Sequence, residues 1–342
     1  MNAATQQEQV GGTPVDWDLA VATAARLVRP GPVVPRAEAD IAVGRLRELA
    51  VDAEVHVREL TGLGSGLPLR PGEVVDRPAW VRAAAQGLSA LTDGALPKQS
   101  GAFSGVLAGT AGVQAGVVLA FLSARVLGQY DPFSDGGRLL LVAPNIVGAQ
   151  HALDVPGEDF SMWVCLHEVT HRLQFTGVPW LAGHFAGLVT ELLDAMDGSS
   201  PRLRDLPRRL REATGPVGLL DLFQSPEQRA VLDRLIALST LLEGHADHVM
   251  DAVGPDVVPS VRTIRERFTV RRKGGGVLDR VLRTLLGVEA KVRQYAEGAA
   301  FTRHVVDEVG MAGFNTVWTS PDTLPTRVEV TDPAAWLRRV AP

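Results

Sequence analysis

The chain has 342 residues, of which 46% are hydrophobic and 21% charged, enough apolar material for a buried core and too little low-complexity sequence for a disordered protein. Thirty-four Lys and Arg against 39 Asp and Glu leave a net charge of −5, so no global positive field attracts nucleic acid or an anionic membrane. The single cysteine, Cys165, has no intrachain partner, and the first residues (MNAATQQEQVGG) lack a basic start and an apolar run; we expect a cytoplasmic protein.

Residues 1–14 read as a polar tail and 15–342 as one domain, arranged as two lobes around a cleft. Apolar residues recur at three and four spacings through Leu19–Leu27, Ile41–Leu60 and Trp80–Leu91, which predicts packing helices. The uncharged stretch Gly101–Ala124 is diluted by five glycines, so it reads as a helix buried among others and not as a membrane span. Arg138–Ala143 (RLLLVA) is the clearest strand, and the proline after it suggests a sheet edge on which an extended peptide could pair. Further helices are expected at about Phe160–Phe175, Leu181–Met196, Glu227–Ala252, Val277–Val309 and Ala334–Val340. The fold class is mainly α (α+β), several helices with a small mixed sheet.

The informative motif is H-E-x-x-H, His167 to His171, inside WVCLHEVTHRLQF. Two histidines at i and i+4 are about 40° apart around a helix, so both imidazoles leave one face and can hold one Zn2+ ion. Glu168 is turned about 100° from His167, poorly placed as a ligand but well placed to act on a water at the metal. It is the expected general base. Gln174 and Gly177 stand where a metzincin would carry its Gly and its third His, which excludes that branch.

Two carboxylates compete for the third ligand position. Glu191, on the next helix, is favoured by spacing. Glu243, in TLLEGHADHVMD, is favoured by local chemistry: Gly244 and Ala246 allow close helix approach, and Asp247 one turn on could accept the outer N–H of a zinc-bound histidine. His245 and His248 fall about 200° and 140° around the helix from Glu243 and read as structural. Tyr295 and His304, on one expected helix, are the candidates for stabilising an oxyanion. The basic run Arg262–Lys273 before Gly274-Gly275-Gly276 reads as a solvated helix face, with an anion clamp as the other possibility.

The segments WVCLHEVTHRLQFTGVPWL, LLEGHADHVMD, RRKGGGVLDRVLRTLLG and GMAGFNTVWTSPDTLPT together resemble an actinobacterial family of zincin-like metallopeptidases, often labelled as associated with deazaflavin-coenzyme biosynthesis. The resemblance runs from about residue 16 to the end. It implies a zincin fold with His167, His171 and Glu243 as zinc ligands and Glu168 as base, and the Glu-x-x-x-Asp spacing is similar to that of gluzincins. The expected activity is zinc-dependent hydrolysis of a peptide or protein substrate. The alternatives are a non-catalytic scaffold with a structural zinc and a small-molecule amidohydrolase of coenzyme metabolism.

Overall fold

The computed structural model describes residues 15–93, 104–197, 225–273 and 288–340. Helices α1 (Trp17–Leu27), α2 (Arg36–Thr61) and α3 (Arg77–Thr92) begin the fold, with the short strand β1 (Glu73–Val75) between the last two. Helix α4 (Ser104–Ser123) leads into β2 (Gly128–Asp131) and β3 (Arg138–Val142). Then come α5 (Ala143–Leu153), α6 (Gly157–Gly177), α7 (Leu181–Asp197), α8 (Pro226–Ala252), α9 (Val261–Lys273) and α10 (Val288–Phe314). Two short 3-10 turns precede α11 (Arg327–Thr331) and α12 (Pro333–Val340).

The three strands lie in the order β1-β3-β2, with β1 parallel and β2 antiparallel to β3. The expected strand is therefore present but central: both of its edges are paired. Its last residue is Val142, and Pro144 belongs to the first turn of α5, where a missing N–H costs nothing. That proline marks a helix start and not a sheet edge. Alternation along β3 divides the core. Leu139 and Leu141 face the main cluster around α2, α6 and α8, whereas Leu140 and Val142 face a smaller cluster with Trp80, Val81 and Leu119.

The glycine-rich helix α4, expected to lie buried among other helices, makes the close approach on one side and is exposed on another. Gly112 and Gly116 press against the Asp16 and Ala20 carbonyl oxygens of the α1 region, where an added Cβ would come within 2.5 Å of each. The opposite face leaves Val113, Val117 and Val118 exposed. No helix among the described residues is long and apolar enough to cross a membrane. Helix α10 is described from Val288, and the expected residues 277–287 lie outside the described residues. It continues past Val309 to Phe314 through a kink at Gly310, whose φ of 71° suits glycine.

Helix α6 is the centre of the main core, packed by α2, α8 and β2. Glu158 and Asp159 in its first turn favour the positive end of the helix dipole. Asp159 also accepts hydrogen bonds from the Ser260 N–H at 2.8 Å and its hydroxyl at 2.5 Å, which ties the start of α6 to that of α9. Along the helix, Arg172 is buried against Glu54 of α2, and Glu54 also pairs with Arg58. The Arg172 guanidinium donates to the Arg70 carbonyl at 2.6 Å as well. A buried charge with such partners resists rotation, because turning α6 would leave it unpaired. The rotational setting of the histidine face follows from this clamp.

Candidate metal centre

Adjacent turns of α6 present His167 and His171, as the i and i+4 spacing requires, with ring planes 86° apart and Nε2 atoms 3.2 Å apart. Helix α8 brings Glu243 to them. It starts with Ser225 and Gln228 in a capping box and Pro226 in the first turn, and it packs along both α6 and α10. Glu243 Oε2 stands 3.4 Å from His167 Nε2 and 3.7 Å from His171 Nε2. These three are the one cluster of metal-ligating side chains among the described residues, with all donor atoms within 4.8 Å.

The donors fit a zinc ion. Four ligands held tetrahedrally at about 2.0–2.1 Å stand about 3.3 Å from one another, and the three observed separations bracket that value. Glu243 Oε2 is buried with no hydrogen-bond partner, a lone pair that a cation would satisfy. Burial alone would raise the Glu243 carboxyl pKa, but the two imidazoles beside it hold it well below the usual carboxylate range. For His171, burial works against protonation, yet the Glu243 carboxylate brings its pKa up to about 9. The Glu243 carboxylate thus makes the space beside the two imidazoles favourable for a positive charge.

Glu168 is buried beside this cluster. Desolvation raises its carboxyl pKa, against the lowering influence of His167 and His171. It backs onto Gly128 of β2, where an added Cβ would lie 2.5 Å from Glu168 Cγ and 2.7 Å from Cδ. A glycine here gives the carboxylate its space. No strand pairs with the outer edge of β2 among the described residues, and Gly128 brings this strand next to Glu168.

The other sequence candidates are placed elsewhere. Glu191 is half exposed on α7 and pairs with Arg234. Asp247 shares the Glu243 side of α8, but the Arg265 guanidinium of α9 engages it together with Asp251, so it supports neither imidazole. The outer nitrogens are taken by different groups: His167 Nδ1 lies 3.2 Å from Met250 Sδ, and His171 Nδ1 lies 2.9 Å from Gln174 Oε1. His304 is exposed on α10, and no hydrogen bond, ion pair or ring contact among the described residues links it to the cluster. The side chain of Tyr295 lies outside the described residues. In the basic run, Arg265 and Arg267 are occupied by Asp247, Asp251 and the Asp154 backbone, which leaves no clamp between them; Gly274–Gly276 lie outside the described residues. His245 is fully buried, which forces its pKa down to about 3, and His248 is partly buried.

Two histidines one turn apart, a carboxylate from a later helix and a second glutamate outside the three donors form an arrangement of the zincin type. The family model of zincin-like metallopeptidases matches residues 15–337, and the chain belongs to that family. A crystal structure described as a candidate hydrolase with a novel fold, from Chloroflexus aurantiacus, is similar over 95% of this chain and 98% of its own, with 30% identity and a TM-score of 0.69. No curated protein matches the chain.

Proposed function

We propose that the protein is a zinc-dependent metallopeptidase in which His167, His171 and Glu243 hold the ion and Glu168 is the general base. The observation that carries this reading is the pairing of a cluster with three donors among the described residues and a buried carboxylate that is not one of them. A structural zinc site is normally closed by four protein ligands, whereas a hydrolytic one keeps a position free. The scaffold alternative is therefore the weaker reading.

A zinc ion in this place would polarise a carbonyl oxygen and bring the pKa of a water down to about 7. Glu168 accepts the proton of the attacking water and delivers it to the leaving amine nitrogen. Its buried setting strengthens it as a base once ionised, because desolvation raises the affinity of the carboxylate for a proton. Gly128 keeps that carboxylate in place, and the unpaired edge of β2 offers backbone hydrogen bonds to an extended peptide beside it.

The test is Glu168→Gln measured beside the wild type. The variant retains zinc, and hydrolysis of a peptide library falls by about 10²–10⁴-fold. Zinc-loaded wild type that cleaves no peptide in that library overturns the peptidase reading, and a variant with wild-type turnover overturns the role of Glu168.

A further inference from the structure

Gln174 is fully buried on α6, three residues past His171, and its contacts force one arrangement of protons. The Leu242 carbonyl can only accept, so the atom 2.9 Å from it is the amide Nε2 of Gln174. Oε1 therefore faces His171 Nδ1 at 2.9 Å, and that nitrogen must donate. In the neutral imidazole, the form that can ligate an ion, the lone pair is then on Nε2, the nitrogen facing His167 and Glu243. The remaining amide proton of Gln174 points to His245 Nδ1 at 3.0 Å, which accepts it. His245 is held flat on Phe314, with ring centroids 5.1 Å apart, and against Trp318 at 5.6 Å. The relay thus runs from a ring that packing prevents from turning, through a doubly anchored amide, to a metal-ligating imidazole.

We propose that Gln174, held by the Leu242 carbonyl and His245, is the positioning residue that sets the tautomer and orientation of His171 for the ion. The inference rests on the zinc reading above. A carboxylate or backbone carbonyl is the usual acceptor for the outer N–H of a zinc-bound histidine. A neutral amide does the same orienting while adding no negative charge behind the ligand.

The experiment is zinc affinity of the apo chain, measured by competition with a chromophoric chelator. Gln174→Leu weakens zinc binding by about 10–100-fold. Gln174→Glu keeps an acceptor for Nδ1 and, when its buried carboxyl is protonated, still donates to the Leu242 carbonyl, so this variant loses less zinc affinity than Gln174→Leu. His245→Phe preserves the stacking and weakens binding by less than Gln174→Leu. The double variant is no weaker than Gln174→Leu alone, because His245 acts through the amide. Cobalt(II) bound in place of zinc gives shifted ligand-field bands in Gln174→Leu, which loss of packing alone would not produce. Wild-type affinity in Gln174→Leu, or equal losses in the Leu and Glu variants, overturns the role of Gln174; an additive loss in the double variant overturns that of His245. A wild-type chain that takes up no zinc overturns the metal site itself.

Discussion

Gly244 of α8 and Gly298 of α10 meet backbone to backbone: a Cβ on Gly244 would lie 2.1 Å from the Gly298 carbonyl carbon, and one on Gly298 2.1 Å from the Thr240 carbonyl oxygen. The crossing sits one residue from Glu243, so its closeness fixes where the carboxylate reaches α6. Gly298→Ala gains about 1 kcal/mol of helix propensity. The forced separation of the two backbones costs about 1–3 kcal/mol and outweighs it. We expect a lower denaturation midpoint together with weaker zinc binding, read by urea titration and chelator competition on the same preparation.

Gly128→Ala strikes a different atom set. The three atoms nearest the new methyl all belong to the Glu168 side chain, so zinc stoichiometry stays at the wild-type level while kcat falls. Metal analysis beside steady-state kinetics separates the two; loss of zinc together with activity would contradict the assignment of Gly128 to Glu168.

The two candidate third ligands give opposite outcomes. Glu243→Ala removes one of three donors and abolishes stoichiometric zinc after dialysis. Glu191→Ala breaks only an exposed pair with Arg234, worth about 0–1 kcal/mol, and leaves zinc content unchanged.

The carboxyl-terminal helices carry a pH-dependent clasp. Glu329 accepts from Arg339 Nε at 2.6 Å and Nη2 at 2.9 Å, and the Arg339 hydrogen bond holds its carboxyl pKa below the ordinary value of 4.5. An acid whose folded pKa is lowered binds its proton less readily when folded, so its stabilisation is complete above the unfolded value and lost as pH falls through the folded one. Glu329→Gln should therefore lower the urea midpoint near neutral pH and lose this effect progressively below about pH 4.5. An equal deficit at both ends would remove the clasp from the acid response.

The legible parts of the site were those whose chemistry repeats within one helix. His167 and His171 could be paired by spacing alone, and Glu243 was suggested by its small neighbours, although Gly244 accommodates α10 and not α6. Asp247 shows the limit of the same reasoning. A spacing of four residues puts it on the right side of its own helix but says nothing of Arg265 arriving from α9. Gln174 carries a signal of its own: an amide between Leu173 and Phe175 in a buried helix needs partners, and it lies three residues from His171. Strands β1 and β2 have three and four residues, too few to display alternation, so the partners of β3 were invisible and its central place was missed.

Cys165, two residues before His167, is the one thiol in the chain, wholly enclosed on α6, and its enclosure raises the pKa further from reactivity. An alkylating reagent can reach it only when that segment breathes. The rate of its modification thus serves as a built-in clock for local opening of α6, and saturation with zinc should slow the clock without any label being introduced.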